Sequence, residues 1–317
     1  MADQPKDDFQ LVMQENLFYS KRQELLIKIQ NELGNKLDKK ISVASYIANT
    51  SNPITAPLTM MSLSHIMHFE DIVKTAKRGY DDKLALILET YGGESDFPEE
   101  AMKRIHTYFD EFYVVVVNIC KSAGTLLSLL SDKLIAIKSA SFGPVDPQLP
   151  ISGPQGNQTI PARSIKETME NTIQDFVNNK IKNIPVQFKP SLIAAILASQ
   201  NYLLYQNSLD AITQTEKVID KYLKPRKRVN TDKLKNELLT TPLSHAQSVS
   251  IDDLDKLGID TISLNPNDAL ARIIIEYHRR ALRALIMEVQ GANTAGTLLF
   301  ENVNRSLQVN AMVQQSR

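Results

Sequence analysis

The chain contains few of the residues that build disulfides and metal sites. It has a single cysteine, Cys120, among 317 residues, which excludes an internal disulfide and a cysteine-based metal site. Its five histidines show no metal-ligand spacing such as His-Glu-x-x-His. We therefore expect neither a metal nor a cofactor.

The chain also lacks an excess of charge of either sign and a long apolar run. Lysine plus arginine and aspartate plus glutamate number 36 each, so the net charge is zero, and nothing global attracts nucleic acid or an anionic membrane. No segment reaches the roughly 18 apolar residues that span a bilayer, and the polar start, Met1 to Asp8, does not resemble a secretory signal. We expect no nucleic-acid partner, no integral membrane segment and a cytoplasmic location.

The sequence does contain short apolar runs that alternate with amphipathic segments. Such a β-α-β-α-β pattern predicts an α/β fold with a parallel sheet and right-handed crossovers. The predicted strands cover residues 41–48, 84–90, the run from Phe112 and 134–137, and the helices cover 63–78, 99–109 and a segment from Leu126.

The remaining segments are predicted to be mostly helical. Apolar positions near helical spacing predict one long helix at residues 8–40, while the Gly- and Pro-rich residues 150–161 predict a loop. The predicted divisions are a helical N-terminal arm at 1–40, a main domain at 41–265 with helices after residue 163, and a C-terminal helix with a loose tail at 266–317. The amphipathic ends favour a homo-oligomer.

The candidate site is the turn that follows the strand from Phe112. Strand, small-residue turn and helix place Ser122 at the carboxyl end of a strand and at a helix N-terminus, where open α/β sheets bind ligands. Unpaired amides at such a terminus stabilise negative charge. Ser122 is therefore a candidate nucleophile with the amide of Ala123 beside it, and the alternative is that Ser122 only caps the helix.

A second turn adds to this site. Gly92-Gly93 ends the preceding predicted strand, and glycines let backbone amides face a substrate carbonyl without intervening side chains. Since parallel strands end at one edge of the sheet, the Gly92-Gly93 and Ser122-Ala123 turns are expected to meet there. Together they would supply a nucleophile and the amides that acyl transfer requires.

Three blocks of the chain, Leu86–Gly93, Lys121–Thr125 and Gly143–Gln148, resemble the serine dehydrogenase proteinase family in order and spacing. These Clp-fold serine peptidases are related to signal peptide peptidase A and, more remotely, to crotonases. The resemblance covers about residues 40 to 260 and implies a Clp/crotonase-like core with a helical N-terminal arm and helical C-terminal additions. It also implies protein or peptide substrates, a homo-oligomer, Ser122 as the nucleophile, and the amides of Gly93 and Ala123 as the oxyanion hole.

The resemblance leaves the general base open. Clp proteases use a histidine after the next strand, where this chain has Asp146, a possible orienting residue. Signal peptide peptidases use a lysine, for which Lys166 is the candidate, and His245 lies in a family-like later segment. Two other functions stay open: a catalytically inactive Clp-fold scaffold and a crotonase-type acyl-coenzyme A enzyme.

Overall fold

The computed structural model divides into two compact units, residues 1–143 with 248–317 and residues 144–247. The structure describes residues 9–15, 20–50, 56–77, 81–153, 156–178, 191, 194–195, 202–240, 247–287 and 294–313. None of the helices described there is long and apolar enough to cross a membrane.

The first unit is built on a sheet whose strands come from both ends of the chain. Its strands are β1 (Phe9–Glu15), β2 (Ser42–Ala48), β3 (Lys83–Thr90), β4 (Glu111–Cys120), β5 (Lys133–Ile137), β6 (Ser141–Phe142), β9 (Thr261–Leu264), β10 (Thr294–Asn302) and β11 (Ser306–Val313). Its helices are α1 (Ser20–Leu37), α2 (Ile66–Ala76), α3 (Phe97–His106), α4 (Ala123–Leu130), α8 (Ile251–Lys256) and α9 (Ala269–Met287).

The strand order is β1-β11-β10-β2-β3-β4-β5-β9, with β6 paired to the end of β4. Strands β2 to β5 and β9 are parallel, whereas β10, β11 and β1 add an antiparallel edge. This arrangement confirms the predicted α/β fold with a parallel sheet. The carboxyl ends of β3 and β4 lie side by side, with Thr90 opposite Cys120.

Helices cover both faces of this sheet because its central strands are apolar on both sides. On one face, α1 and α9 pack against alternate strand residues such as Val43, Ile87 and Val115. On the other face lie α2, α3 and α4, where Phe97 makes edge contacts with Tyr46 and with Phe69. Because the described helices cover both faces of the sheet, the ends of its strands are where a ligand site is expected.

The two ends of the chain differ from the prediction. The single helix expected over residues 8–40 is a strand, β1, followed by helix α1, and the tail expected to be loose forms the hairpin β10–β11. Both differences have one cause, since Phe9 pairs with Val313 and Leu298 pairs with Ala48. Partners this distant in sequence override a local apolar pattern that fits either period.

The second unit contains the antiparallel hairpin β7 (Gln148–Gly153) and β8 (Gly156–Pro161) and the helices α5 (Ala162–Val177), α6 (Tyr202–Leu223) and α7 (Thr231–Lys235). The hairpin replaces the loop predicted at residues 150–161. Its glycines, Gly153 and Gly156, are opposite each other at the tip, so the turn-forming composition marks the tip rather than the whole segment.

Candidate active site

The turn between β4 and α4 holds Ser122 in a strained conformation. Its backbone has φ 49° and ψ −118°, a region that costs a non-glycine residue of order 1–3 kcal/mol. The side chain makes no capping hydrogen bond to α4. A serine on a sharp, strained strand-to-helix turn is the arrangement that presents a nucleophilic hydroxyl in hydrolases.

Hydrogen bonds from buried groups fix the turn around this serine. The Thr125 hydroxyl donates to the Cys120 carbonyl oxygen at 2.7 Å and accepts from the Gly143 amide at 3.0 Å. The Lys121 amide donates to the carbonyl oxygen of Thr90 on the neighbouring strand at 3.0 Å. The residues on either side of Ser122 are therefore tied to β3 and to the turn after β6.

The Gly92-Gly93 turn lies directly against Ser122. Gly92 has φ 106°, and a Cβ there would lie 2.6 Å from the Ser122 Cβ and 3.1 Å from the Ala123 amide nitrogen. A Cβ on Gly93 would overlap the backbone of Met61. Only glycine fits at these two positions. The close contact also shows that the two turns meet at one edge of the sheet, as the sequence predicted.

The amides of this turn differ in their hydrogen bonding. The Gly92 amide donates to the Thr90 hydroxyl at 2.9 Å, and the Gly92 carbonyl oxygen accepts from the Met61 amide at 2.7 Å. Within the described part of the chain, the amides of Gly93 and Ala123 have no acceptor. These two donors are available to bind a developing oxyanion.

Burial makes two ionisable side chains near Ser122, those of Cys120 and Lys121, harder to charge. Cys120 is fully buried, and burial raises the pKa of its thiol to about 12, which excludes it as a thiolate nucleophile at neutral pH. Burial also lowers the pKa of Lys121, whose Nζ donates to the Phe142 carbonyl oxygen at 2.6 Å. Ser122 is therefore the nucleophile candidate at this turn.

The candidate bases lie elsewhere or outside the described residues. Lys166 is on α5 of the second unit, where its side chain is 39% exposed and its Nζ is 4.0 Å from the Glu170 carboxylate. Asp146 is fully buried in the second unit, and Gln148 Nε2 lies 3.4 Å from its Oδ2. His245 lies outside the described residues.

His65 is a buried histidine that the sequence did not single out. It is only 6% exposed, and neither ring nitrogen has a hydrogen-bond partner among the residues that the structure describes. Burial, with a smaller effect from His68, lowers its pKa. It lies four residues after Met61, the residue paired with Gly93, and no sequence signal distinguished it from the other helix-flanking histidines.

The arrangement at this sheet edge contains parts of an acyl-transfer site. Among the residues that the structure describes, no group of histidine, cysteine or carboxylate side chains is arranged to hold a metal ion. A strained serine and two available amides at one sheet edge are two of the three parts of an acyl-transfer site.

Two comparisons with known proteins cover most of this chain. The model of the family described as ClpP-like SDH-type serine proteinase matches residues 9–284. An uncharacterised protein of Methanocaldococcus jannaschii, MJ0137, is 24% identical over 277 residues, which are 87% of this chain and 86% of that protein.

Solved structures show a more distant likeness. The membrane-bound stomatin-specific protease 1510-N is 14% identical over 64% of this chain and 75% of its own, with a TM-score of 0.39. ClpP1 from Listeria monocytogenes is 10% identical over 74% of this chain and 97% of its own, with a TM-score of 0.39. A probable enoyl-CoA hydratase/isomerase from Mycobacterium abscessus is 9% identical over 77% and 71%, with a TM-score of 0.36. Likeness at this level concerns the fold alone.

Proposed function

Because this chain belongs to the ClpP-like SDH-type serine proteinases, the family whose model matches residues 9–284, we propose that it is a peptidase that cleaves peptide bonds through Ser122. The Ser122 hydroxyl attacks the scissile carbonyl and loses its proton to a general base. The base then gives this proton to the leaving amine, and an acyl-enzyme forms. Water, activated by the same base, releases the second product and regenerates Ser122.

The amides of Gly93 and Ala123 would bind the oxyanion of the tetrahedral intermediate. Neither amide has another acceptor in the described structure, and the glycine turn lies against Ser122 without intervening side chains. Removing one such donor typically lowers kcat by about a hundredfold to a thousandfold. Gly92 would contribute its shape, since its own amide is bound to Thr90.

The single observation that carries the proposal is the conformation of Ser122. A capping serine would donate or accept at the helix end, and it would not require a positive φ. Ser122 has the positive φ and no capping bond, which supports a nucleophile over a helix cap. It thereby supports a peptidase over the inactive scaffold.

For the general base we propose His245 before Lys166. A histidine has an unperturbed pKa suited to proton transfer near neutral pH. A lysine base has to be desolvated to act in its neutral form, whereas the Lys166 side chain is 39% exposed and its Nζ lies 4.0 Å from the Glu170 carboxylate. Asp146, buried in its own unit, is the proposed residue that orients the base.

Fluorophosphonate labelling of the purified protein tests this proposal. We expect stoichiometric labelling of the wild type, its loss in Ser122→Ala, and full labelling of Ser131→Ala, a buried serine after α4 that serves as the control. Slower labelling in His245→Ala but not in Lys166→Ala would identify the base, and Asp146→Asn would test its orientation. A folded wild type that takes up no label would instead support the scaffold.

A crotonase-type acyl-coenzyme A enzyme remains the other alternative, and binding of a coenzyme A thioester would support it. Assembly into a homo-oligomer and a cytoplasmic location also stay predictions. Light scattering at micromolar concentration tests the first of them, and a monomeric mass would contradict it.

A further inference from the structure

The strand that leads to Ser122 contains a bulge directly before the turn. Strands β3 and β4 pair in register up to Leu88 and Val116, and the next pair is Thr90 with Cys120. One residue of β3, Glu89, thus faces three residues of β4, 117 to 119. A bulge breaks the regular ladder and leaves backbone groups that need other partners.

The Glu89 carboxylate supplies such a partner for one backbone amide of the bulge and also accepts from two side chains. The Ile119 amide donates to its Oε2 at 2.9 Å, and Asn118 Nδ2 donates to its Oε1 at 3.1 Å. The Thr50 hydroxyl also donates to Oε1, at 3.2 Å. Glu89 is fully buried, so these contacts replace the water that a carboxylate would otherwise bind.

A histidine of helix α9, which lies on the same face of the sheet as α1, also approaches this carboxylate. His278 Nε2 lies 3.2 Å from Glu89 Oε2, although it is not aligned for a hydrogen bond. The carboxylate is therefore enclosed by groups from β4, from the segment after β2 and from α9. A buried polar group with several partners holds one position more firmly than a single contact would.

We propose that Glu89 is a positioning residue for Ser122, an inference that rests on the proposed peptidase function. Glu89 fixes Ile119, three residues before Ser122, and the next residue, Thr90, accepts from the Lys121 amide at 3.0 Å. Two successive residues of β3 thereby hold both ends of the segment from Ile119 to Lys121. These two contacts fix where the strained turn begins, and so where the Ser122 hydroxyl and the Ala123 amide lie.

The substitution Glu89→Gln tests this role with little change of shape. Both carboxylate oxygens accept hydrogen bonds, whereas glutamine presents one acceptor and one donor. One of the two donors on β4 then faces an amide nitrogen. Glu301→Gln is the matched control, because Glu301 is also fully buried, on β10, and accepts from Arg22, Tyr277 and Ser306.

The rate constant and the apparent affinity of fluorophosphonate inactivation are measured for both variants, together with hydrogen exchange of the peptide that spans residues 117–122. For Glu89→Gln we expect the maximal inactivation rate to fall by about tenfold to a hundredfold, as for a small misplacement of reacting groups. The affinity should change little, and exchange at residues 117–122 should accelerate. For Glu301→Gln the melting temperature should fall while the inactivation rate and this exchange stay near wild type.

Wild-type inactivation kinetics in a folded Glu89→Gln protein would overturn the inference while leaving the peptidase proposal intact. An equal loss of rate in Glu301→Gln would also overturn it, because the effect would then follow general stability. If the wild type takes up no label, the peptidase proposal fails, and the hydrogen-exchange measurement alone tests whether Glu89 fixes the residues before Ser122. Faster exchange at residues 117–122 in Glu89→Gln only would still support that role, and unchanged exchange would overturn it.

Discussion

The contact between Gly92 and Ser122 makes Gly92→Ala the sharpest test of the site geometry. Alanine at this position would adopt φ 106° and place its Cβ 2.6 Å from the Ser122 Cβ and 2.8 Å from the Lys121 carbonyl oxygen. The backbone strain costs about 1–3 kcal/mol, and overpacking against rigid backbone costs about 1–3 kcal/mol more. The expected loss of about 2–6 kcal/mol is a large share of the usual 5–15 kcal/mol of a folded domain.

Thermal denaturation and fluorophosphonate labelling measure the two consequences of Gly92→Ala separately. We expect a lower melting temperature and, in the remaining folded protein, labelling slowed by at least about tenfold because Ser122 is displaced. Gly143→Ala is the comparison without positive-φ strain, since its Cβ would meet the Lys121 Cδ at 2.7 Å and require only that side chain to shift. Its effect on both measurements should be smaller than that of Gly92→Ala.

A double variant distinguishes this contact from a general loss of stability. Because the nearest clash involves the Ser122 Cβ, adding Ser122→Gly to Gly92→Ala should restore part of the lost stability. A coupling energy near zero between the two substitutions would refute the reasoning. Wild-type melting and labelling of Gly92→Ala would refute it more directly.

Three further predictions concern the surroundings of Ser122. Ser122→Gly alone should abolish labelling and raise the free energy of unfolding by up to about 2 kcal/mol. Glycine relieves the strain of the positive φ, although it loses more chain entropy on folding. Denaturant titration checks this, and a destabilised variant would contradict it. Thr125→Val should lower the free energy of unfolding by about 2–4 kcal/mol, because it leaves the Cys120 carbonyl and the Gly143 amide without their partner. Thr125→Ser keeps the hydroxyl and should retain most of that stability in the same titration. Burial lowers the pKa of His65, so as the pH falls the unfolded chain binds this proton before the folded protein does. Stability should therefore fall as the pH drops below about 6.5 and level off below the folded-state pKa. In His65→Leu the melting temperature should depend less on pH between about pH 7 and pH 5, and an unchanged dependence would contradict this.

The central strands and the two glycine- and serine-bearing turns could be predicted because local sequence determines them. The run Val114 to Val117 is apolar at every position, which is typical of a strand covered on both faces. Once such strands are parallel, the turns at their carboxyl ends meet at one edge whatever lies elsewhere in the chain. The resemblance of the three blocks to the family rests on the same turns.

The terminal strands could not be predicted in this way. Met13 lies two residues from Leu11, as in a strand, and four from Leu17, as in a helix, and the choice depends on β11, almost 300 residues away in sequence. The Glu89 contacts were missed for a related reason. A glutamate at the end of an apolar strand looks like a solvated side chain until the bulge in β4 supplies the donors that keep it buried.

The strain at Ser122 and its surroundings form one argument about function. A positive φ at a serine persists only where neighbouring structure fixes it, and here Glu89, Thr90 and Thr125 fix the residues on both sides. If the turn served the fold alone, glycine at position 122 would satisfy the same backbone without that cost. Keeping serine there has a physical reason only if the hydroxyl itself is used, so the variant most stable at this position should also be the one that cannot form an acyl-enzyme.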